Sequence, residues 1–157
     1  MMKNKLPCQK LVPIANIMKN NHQENPAGQK FILVGEDDID DQEILEEVFE
    51  TVDSNLRLHF VNNGEKLIAH IDMLQDEHLP CLILLDYNMP ELNGAEILKK
   101  LQENERVIRV PKIIWSTSNA PAFRAKCLEL GACDYLVKPS KISLLEEMVK
   151  HMLSFCD

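Results

Sequence analysis

The segment LILLDYNMP, residues 82–90, leads an apolar run directly into the carboxylate of Asp86. A carboxylate at the end of a buried strand costs free energy unless a cation or hydrogen-bond donors compensate it. Other apolar runs of the chain also end in polar side chains, and these are Glu36 with Asp37, Ser116, and Lys138. If the runs are parallel strands, these side chains meet at the carboxyl edge of one sheet, where ligands bind in such folds.

Three carboxylates that converge, here Glu36, Asp37 and Asp86, repel one another and stay ionised only beside a cation. The candidate ligands are all oxygens, with no His or Cys among them, which favours a hard ion such as Mg²⁺ or Mn²⁺. An aspartate held against such an ion is a competent nucleophile toward a phosphoryl donor. The ammonium of Lys138 and the hydroxyl of Ser116 suit the phosphoryl oxygens. These residues predict that Asp86 forms an aspartyl phosphate.

The elements that must position these side chains follow from the hydrophobic pattern. Apolar or alternating runs predict strands in residues 30–34, 56–61, 81–85, 110–116 and 133–137. Apolar stripes at helical spacing predict helices in residues 40–52, 64–74, 94–104, 121–131 and 140–153. Gly131 is the predicted stop of the fourth helix and Ser140 the predicted N-cap of the last. Strict alternation predicts the α/β class, a doubly wound (βα)5 fold with a five-stranded parallel sheet and helices on both faces.

Composition narrows the classes of function. The chain has 157 residues, 45% of them apolar and 27% charged, with a formal net charge of −8. An acidic surface repels phosphate backbones, so we expect no direct binding of nucleic acid. No apolar run approaches the ~20 residues that a membrane span requires. Residues 1–29 are polar and rich in turn formers, which predicts a flexible N-terminal tail or linker before a domain of residues 30–157.

The five cysteines show neither metal-site nor redox-motif spacing. Cys81 lies in an apolar run, so we expect a small core residue there. We expect free thiols, and with no signal sequence they indicate a reducing, cytoplasmic compartment.

Four motifs in this order carry a family resemblance: an acidic pair after the first strand, LLDYNMP, a hydroxyl residue after the fourth strand, and YLVKP. Residues 30–157 resemble the receiver domain of two-component response regulators. The resemblance implies the flavodoxin-like strand order 2-1-3-4-5. It also implies that Asp86 is the phosphoacceptor, and that Asp37 binds the metal directly as one of the acidic pair with Glu36. The backbone carbonyl of Asn88 would complete the protein's ligands.

The same resemblance assigns roles to residues of the last two strands. Ser116 would be the hydroxyl that reaches toward the phosphoryl group, and Lys138 would pair with Asp86 or its phosphate. Tyr135 would be the aromatic residue whose rotamer reports the phosphorylated state. Pro139 would follow a cis peptide bond. The side chains of Asn88 and Ser118 fall where the family tunes dephosphorylation.

Four positions depart from the family's commonest pattern. Gly35 stands where a larger apolar residue often precedes the acids. Glu36 replaces an Asp, so its side chain is one methylene longer. It would therefore contact the metal either directly or through a water molecule. Ser116 replaces a Thr but keeps the hydroxyl. Trp115 is bulky for its place, and we expect it to shape the surface that meets a partner. No departure removes a chemical role.

The resemblance implies a stand-alone receiver that takes its phosphoryl group from a sensor histidine kinase or a phosphotransfer protein. With no chain after the last helix, we expect the signal to pass to a downstream protein target by contact, from a monomer or a weak phosphorylation-dependent dimer. We expect slow self-dephosphorylation and no other enzymatic activity.

Two alternatives stay open. One is a Mg²⁺-dependent phosphohydrolase with an Asp nucleophile, which needs a second acid two residues further on, where this chain has Asn88. The other is a constitutive interaction module that keeps the fold without phosphorylation.

Overall fold

A computed structural model describes residues 28–156, so the predicted tail lies outside the described residues except for its last two positions. Five strands form one sheet: β1 Phe31–Gly35, β2 Arg57–Val61, β3 Leu82–Asp86, β4 Lys112–Ser116 and β5 Asp134–Val137. Five α-helices alternate with them: α1 Ile39–Val52, α2 Gly64–Met73, α3 Gly94–Gln102, α4 Pro121–Glu129 and α5 Ile142–Leu153. A short 3₁₀ turn, Asp76–His78, precedes β3. The predicted alternation is confirmed.

The strands are all parallel, in the order β2-β1-β3-β4-β5, as the resemblance implied. Side chains of successive strand residues enter two separate cores. Leu33 and Leu85 pack under α2, α3 and α4, whereas Ile32 and Leu84 pack under α1 and α5. Because both faces are covered, β1, β3 and β4 are buried along their whole length, which explains their continuous apolar runs.

Side-chain caps begin the first three helices. The carboxylate of Asp38 accepts from the backbone N–H groups of Asp40 and Asp41 at the start of α1. Asn63 caps α2, and Asn93 forms a reciprocal capping box with Glu96 at the start of α3. Only short connections separate α1 from the end of β1 and α2 from the end of β2, whereas α3 starts after the longer turn of residues 87–93.

The ends of α4 and α5 test two predictions. Gly131 follows α4 with a φ of 104°, the left-handed conformation that suits glycine beyond a helix end, so the predicted stop is confirmed. The prediction that Ser140 caps α5 is wrong. Lys141 holds the N-cap position in an extended conformation (φ −122°, ψ 140°) without a side-chain cap bond. The first turn of α5 therefore starts one residue later than predicted, and Ser140 lies before the N-cap.

The prediction that all cysteines are free thiols is wrong for one pair. Cys81 and Cys156 form a disulfide, with Cα atoms 4.9 Å apart, within the range that a disulfide spans. The two residues are 75 positions apart in sequence, and they meet because the chain after α5 returns to the amino end of β3. Cys127 and Cys133 are free, and Cys8 lies outside the described residues. The argument for a reducing compartment loses this support.

The prediction of a cis peptide bond before Pro139, which the resemblance implied, is also wrong. No peptide bond among residues 28–156 is cis, so Lys138 and Pro139 are joined in the trans form. The cis and trans forms of a peptide bond before proline differ in free energy by only about 0.5–1 kcal/mol, so the sequence alone does not decide between them.

Among the described helices, none is both long and apolar enough to cross a bilayer.

Candidate functional site

Three carboxylates meet at the carboxyl edge of the sheet, as predicted. One ligand oxygen from each of Glu36, Asp37 and Asp86 lies within 4.8 Å of the others. They converge because β1 and β3 are neighbours and Gly35 is paired with Leu85. Glu36 is 0% and Asp86 7% exposed, while Asp37 is exposed to solvent. The cluster is therefore closed toward the protein and open on one side.

Lys138, directly after β5, reaches across β4 into this cluster. Its Nζ atom lies 3.1 Å from Oε1 of Glu36 and 3.3 Å from Oδ2 of Asp86. A third carboxylate, that of Asp41 in the first turn of α1, is closer still, with Oδ2 at 2.8 Å. An ammonium group has three N–H donors, so these three carboxylates use all of them.

The crowding changes the pKa values of two groups. The pKa of Glu36 is raised to about 7, mainly by burial and secondly by the charge of Asp86. Lys138 and the backbone N–H of Asp38 act in the opposite direction and lower it. Burial alone would lower the pKa of Lys138. The hydrogen bond to Asp41 and the charges of Glu36 and Asp86 outweigh burial and raise that pKa above its usual range. Lys138 is therefore a fixed positive charge, whereas Glu36 needs a further cation to ionise fully at neutral pH.

Local bonds hold the carboxylate of Glu36 in place. Its Oε2 accepts from the backbone N–H of Asp38 at 3.1 Å, and its backbone carbonyl accepts from the amide of Gln42 at 2.6 Å. The longer side chain thus folds back toward the start of α1. Both of its oxygens already have partners, which fits a contact to a metal through water at least as well as a direct one.

Ser116 and Asn88 are two further predicted site residues, one at the end of β4 and one in the turn after Asp86. Ser116 ends β4, is completely buried, and its carbonyl accepts from the backbone N–H of Lys138 at 2.7 Å. Its hydroxyl oxygen accepts from the backbone N–H of Ser118 at 3.1 Å. The backbone N–H of Asn88 donates to Oδ1 of Asp86 at 3.2 Å, and the Asn88 side chain is exposed. The turn after β3 therefore folds over the carboxylate of Asp86.

Tyr135 in β5 points into the protein. Its ring is 2% exposed, and its hydroxyl donates to the carbonyl of Ser118 at 2.8 Å. The guanidinium of Arg124 in α4 donates to the Tyr135 carbonyl at 2.8 Å. Tyr135 is thus joined both to the segment after Ser116 and to α4, although it does not contact the carboxylate cluster.

The prediction that Trp115 shapes a partner surface is wrong. The side chain is 2% exposed and belongs to the core under α1 and α5, because β4 is an inner strand with both faces covered. Its ring centroid lies 4.6 Å from Nζ of Lys138, a distance at which a cation and an indole attract each other. Trp115 therefore packs beneath the site lysine.

Packing also explains the glycine before the acidic pair. A Cβ atom at Gly35 would lie 3.0 Å from side-chain atoms of Leu67 and Met89 and 3.2 Å from one of Leu85. The space that a larger residue would take is filled by these neighbours. Met89 belongs to the turn after Asp86 and is 7% exposed, so this packing helps to hold the turn.

Sequence reasoning missed the contact between Asp41 and Lys138, because Asp41 lies in the predicted helix of residues 40–52 and was not singled out as a site residue. A signal was available, because a helix that follows β1 directly begins at the same edge of the sheet as the cluster.

The stacking of Tyr87 on Phe123, with ring centroids 4.8 Å apart, was also missed. Nothing in the spacing of a loop residue and a helix residue indicates such a contact.

The residues fit a hard divalent cation. The cluster offers one carboxylate oxygen from each of three side chains, and oxygen is the donor that Mg²⁺ and Mn²⁺ prefer. Burial is the main cause of the raised pKa of Glu36, and repulsion by the charge of Asp86 is the second. A cation between the two carboxylates would offset both effects.

Comparisons with known proteins agree with this geometry. The family model of the response regulator receiver domain matches residues 32–150. The two-component response regulator ORR11 of Oryza sativa subsp. indica is 35% identical over 100 residues, which are 64% of this chain and 66% of the rice protein. The match therefore spans just under two thirds of that relative.

Two solved structures of response regulators share the fold, with similar TM-scores. The phosphorylated cyanobacterial phytochrome response regulator RcpA has a TM-score of 0.73 and 25% identity, and the match covers 82% of this chain and 94% of RcpA. The Mn²⁺-bound form of response regulator Rcp1 has a TM-score of 0.70 and 29% identity, covering 80% of this chain and 93% of Rcp1. The chain belongs to the response regulator receiver domain family.

Proposed function

We propose that this receiver domain accepts a phosphoryl group on the carboxylate of Asp86. The observation that carries the proposal is the position of Asp86, which forms one carboxylate cluster with Glu36 and Asp37 and lies 3.3 Å from the Lys138 ammonium. A nucleophilic oxygen, an acidic cluster for a cation and a fixed positive charge are the parts that phosphoryl transfer needs. The phosphorylated state named for RcpA supports the same chemistry.

Asp37, Asp86 and the main-chain carbonyl of Asn88 would hold Mg²⁺ or Mn²⁺, and Glu36 would contact the ion directly or through water. The all-oxygen donor set supports this assignment, as does the manganese named for Rcp1. When bound, the ion neutralises the carboxylates and draws negative charge from the phosphoryl oxygens.

The protein's own groups then perform the transfer. An Oδ atom of Asp86 attacks phosphorus, the new P–O bond forms, and the bond between phosphorus and the imidazole nitrogen of the donor phosphohistidine breaks. The imidazole keeps the electron pair of the broken bond and takes a proton. Lys138 supplies positive charge to the phosphoryl oxygens, and the Ser116 hydroxyl donates a hydrogen bond to one of them.

The donor would be a sensor histidine kinase or a phosphotransfer protein, since such partners serve this family. Phosphorylation adds charge at one edge of the sheet and draws Ser116 and Lys138 toward it. The bonds that connect Ser118, Tyr135 and Arg124 lead from this edge to α4. We propose that a shift there changes the surface formed by α4, β5 and α5, which a downstream protein target reads.

The experiment is incubation with acetyl phosphate and Mg²⁺, followed by mass spectrometry of the intact protein. The parent should gain the mass of one phosphoryl group, stable in acid and lost in base, and the Asp86→Asn variant should gain none. Asp72→Asn changes an exposed aspartate of α2 and should behave as the parent. A parent without any mass gain would indicate a constitutive interaction module. Rapid multiple turnover of small phosphate esters would indicate a phosphohydrolase instead.

A further inference from the structure

The ammonium of Lys138 is shared among three carboxylates, and the closest of them is not part of the predicted site. Oδ2 of Asp41 lies 2.8 Å from Nζ, against 3.1 Å for Glu36 and 3.3 Å for Asp86. Since the ammonium has only three N–H donors, each carboxylate takes one. A phosphoryl oxygen on Asp86 can accept from Lys138 only if one of these bonds is released.

Asp41 differs from the other two partners in its surroundings. Its side chain is 31% exposed, whereas those of Glu36 and Asp86 are 0% and 9% exposed. Its carboxylate is also not among the three that cluster within 4.8 Å. Water can solvate Asp41 once the lysine leaves, but it cannot replace the lysine beside a buried carboxylate at comparable cost. Asp41 is therefore the partner that Lys138 can release most easily.

The backbone holds Asp41 in a fixed relation to the cluster. Its N–H donates to the capping carboxylate of Asp38 at 3.3 Å. The next residue, Gln42, donates its amide to the carbonyl of Glu36 at 2.6 Å. The first turn of α1 is thus tied to the end of β1. On another side, the ring of Trp115 lies 4.6 Å from Nζ, so the lysine is held between an indole and a carboxylate.

We propose that Asp41 is a positioning residue that holds Lys138 in the unphosphorylated protein and competes for it with the phosphoryl group on Asp86. The inference rests on the proposed function and deepens it. Asp41 sets how readily the lysine moves from the resting arrangement to the phosphorylated one. Removing the Asp41 charge should leave the three clustered carboxylates in place while it frees the lysine for the phosphoryl oxygens.

The test uses beryllofluoride, a phosphoryl mimic, titrated into the full chain with saturating Mg²⁺. Trp115 is the one tryptophan of the sequence and contacts the lysine, so its fluorescence reports displacement of Lys138. We expect Asp41→Asn to bind the mimic about fivefold more tightly than the parent, the size of a partly exposed ion pair. Asp41→Glu restores the carboxylate and should return the affinity toward that of the parent.

The matched control is Asp40→Asn, because Asp40 is also an acid of the first turn of α1 and is exposed. It carries the same charge change and should shift the affinity less than twofold. Equal affinity in Asp41→Asn and Asp40→Asn would overturn the proposal. So would weaker binding in Asp41→Asn together with a lowered melting temperature, since Asp41 would then be only a structural anchor.

The experiments distinguish a failure of the proposed function from a failure of this inference. A parent that gains no phosphoryl mass with acetyl phosphate would contradict phosphorylation of Asp86 itself, and the role of Asp41 with it. A parent that gains the mass, with Asp41→Asn indistinguishable from Asp40→Asn, would contradict only the role of Asp41.

Discussion

The hydroxyl of Tyr135 donates a hydrogen bond of 2.8 Å to the carbonyl oxygen of Ser118, two residues beyond the hydroxyl that ends β4. Because the ring is almost completely buried, the hydroxyl reaches the partly exposed Ser118 from the protein side. The bond holds the segment after Ser116 against β5 and so connects the candidate site to the surface beside α4. A displacement of Ser116 toward a phosphoryl group would have to stretch or break it.

Replacing Tyr135 by Phe removes this bond and leaves the Ser118 carbonyl without its donor. We expect the free energy of unfolding to fall by about 1 kcal/mol, measured by urea denaturation. The same change at Tyr87, whose ring stacks on Phe123, is the matched control and should cost less. Equal effects of the two substitutions would show that the bond between Tyr135 and Ser118 contributes nothing of its own.

Glu36 should make the metal-free protein less stable as the pH rises. Burial and the nearby Asp86 raise the pKa of Glu36 from 4.5 to about 7 in the folded protein, so between these values the folded state binds more protons than the unfolded state. The free energy of unfolding therefore decreases with rising pH across this interval. Because the group is completely buried, the decrease could reach about 3 kcal/mol as an upper bound.

Thermal denaturation in EDTA from pH 4.5 to 8 measures this effect. Glu36→Gln should flatten the curve, whereas Glu43→Gln, at an exposed position of α1, should leave it unchanged. Mg²⁺ should flatten the curve of the parent as well, because a cation beside the carboxylates replaces the proton. Identical curves for the parent and Glu36→Gln would show that Glu36 does not titrate in this interval.

Most of the fold followed from the hydrophobic pattern because inner parallel strands are buried on both faces. The runs around Ile32, Leu84 and Ile113 stand out for that reason. The pattern predicted the helix α5 but did not decide which of its apolar residues face the sheet. Leu144 is 51% exposed, whereas Leu145 and Val149 are buried. The apolar stripe of α5 is wide, so periodicity alone does not decide which residues face the sheet.

The candidate site was predictable where topology alone brings residues together. The site residues lie at or directly after the carboxyl ends of strands in one parallel sheet, and their meeting requires only the strand order. They are Glu36, Asp37, Asp86 and Lys138. The contact of Asp41 with Lys138 and the burial of Trp115 depend on the direction of individual side chains. The disulfide of Cys81 with Cys156 depends on the path of the chain after α5. The disulfide leaves no periodic or local trace in the sequence, whereas the start of α1 beside the cluster and the apolar run around Trp115 were signals that the prediction did not use.

Gly64, the first residue of α2, should not tolerate a side chain. A Cβ atom there would lie 2.5 Å from Cβ and 2.6 Å from the carbonyl oxygen of Leu92, closer than packed atoms approach. The backbone N–H of Gly64 also donates to the carbonyl of Pro90 at 3.1 Å. The start of α2 therefore packs directly on the turn that follows Asp86, and an added methyl group must displace one of the two.

Gly64→Ala should lower the free energy of unfolding by about 1–3 kcal/mol, the usual cost of overpacking, although alanine is the better helix former. The displaced turn carries the Asn88 carbonyl, so Mg²⁺ affinity, measured by calorimetry, should fall as well. Glu65→Ala changes the exposed next residue and should alter neither quantity by more than a small amount. A Gly64→Ala protein as stable as the parent would mean that α2 and the turn after Asp86 are not packed as tightly as these distances indicate.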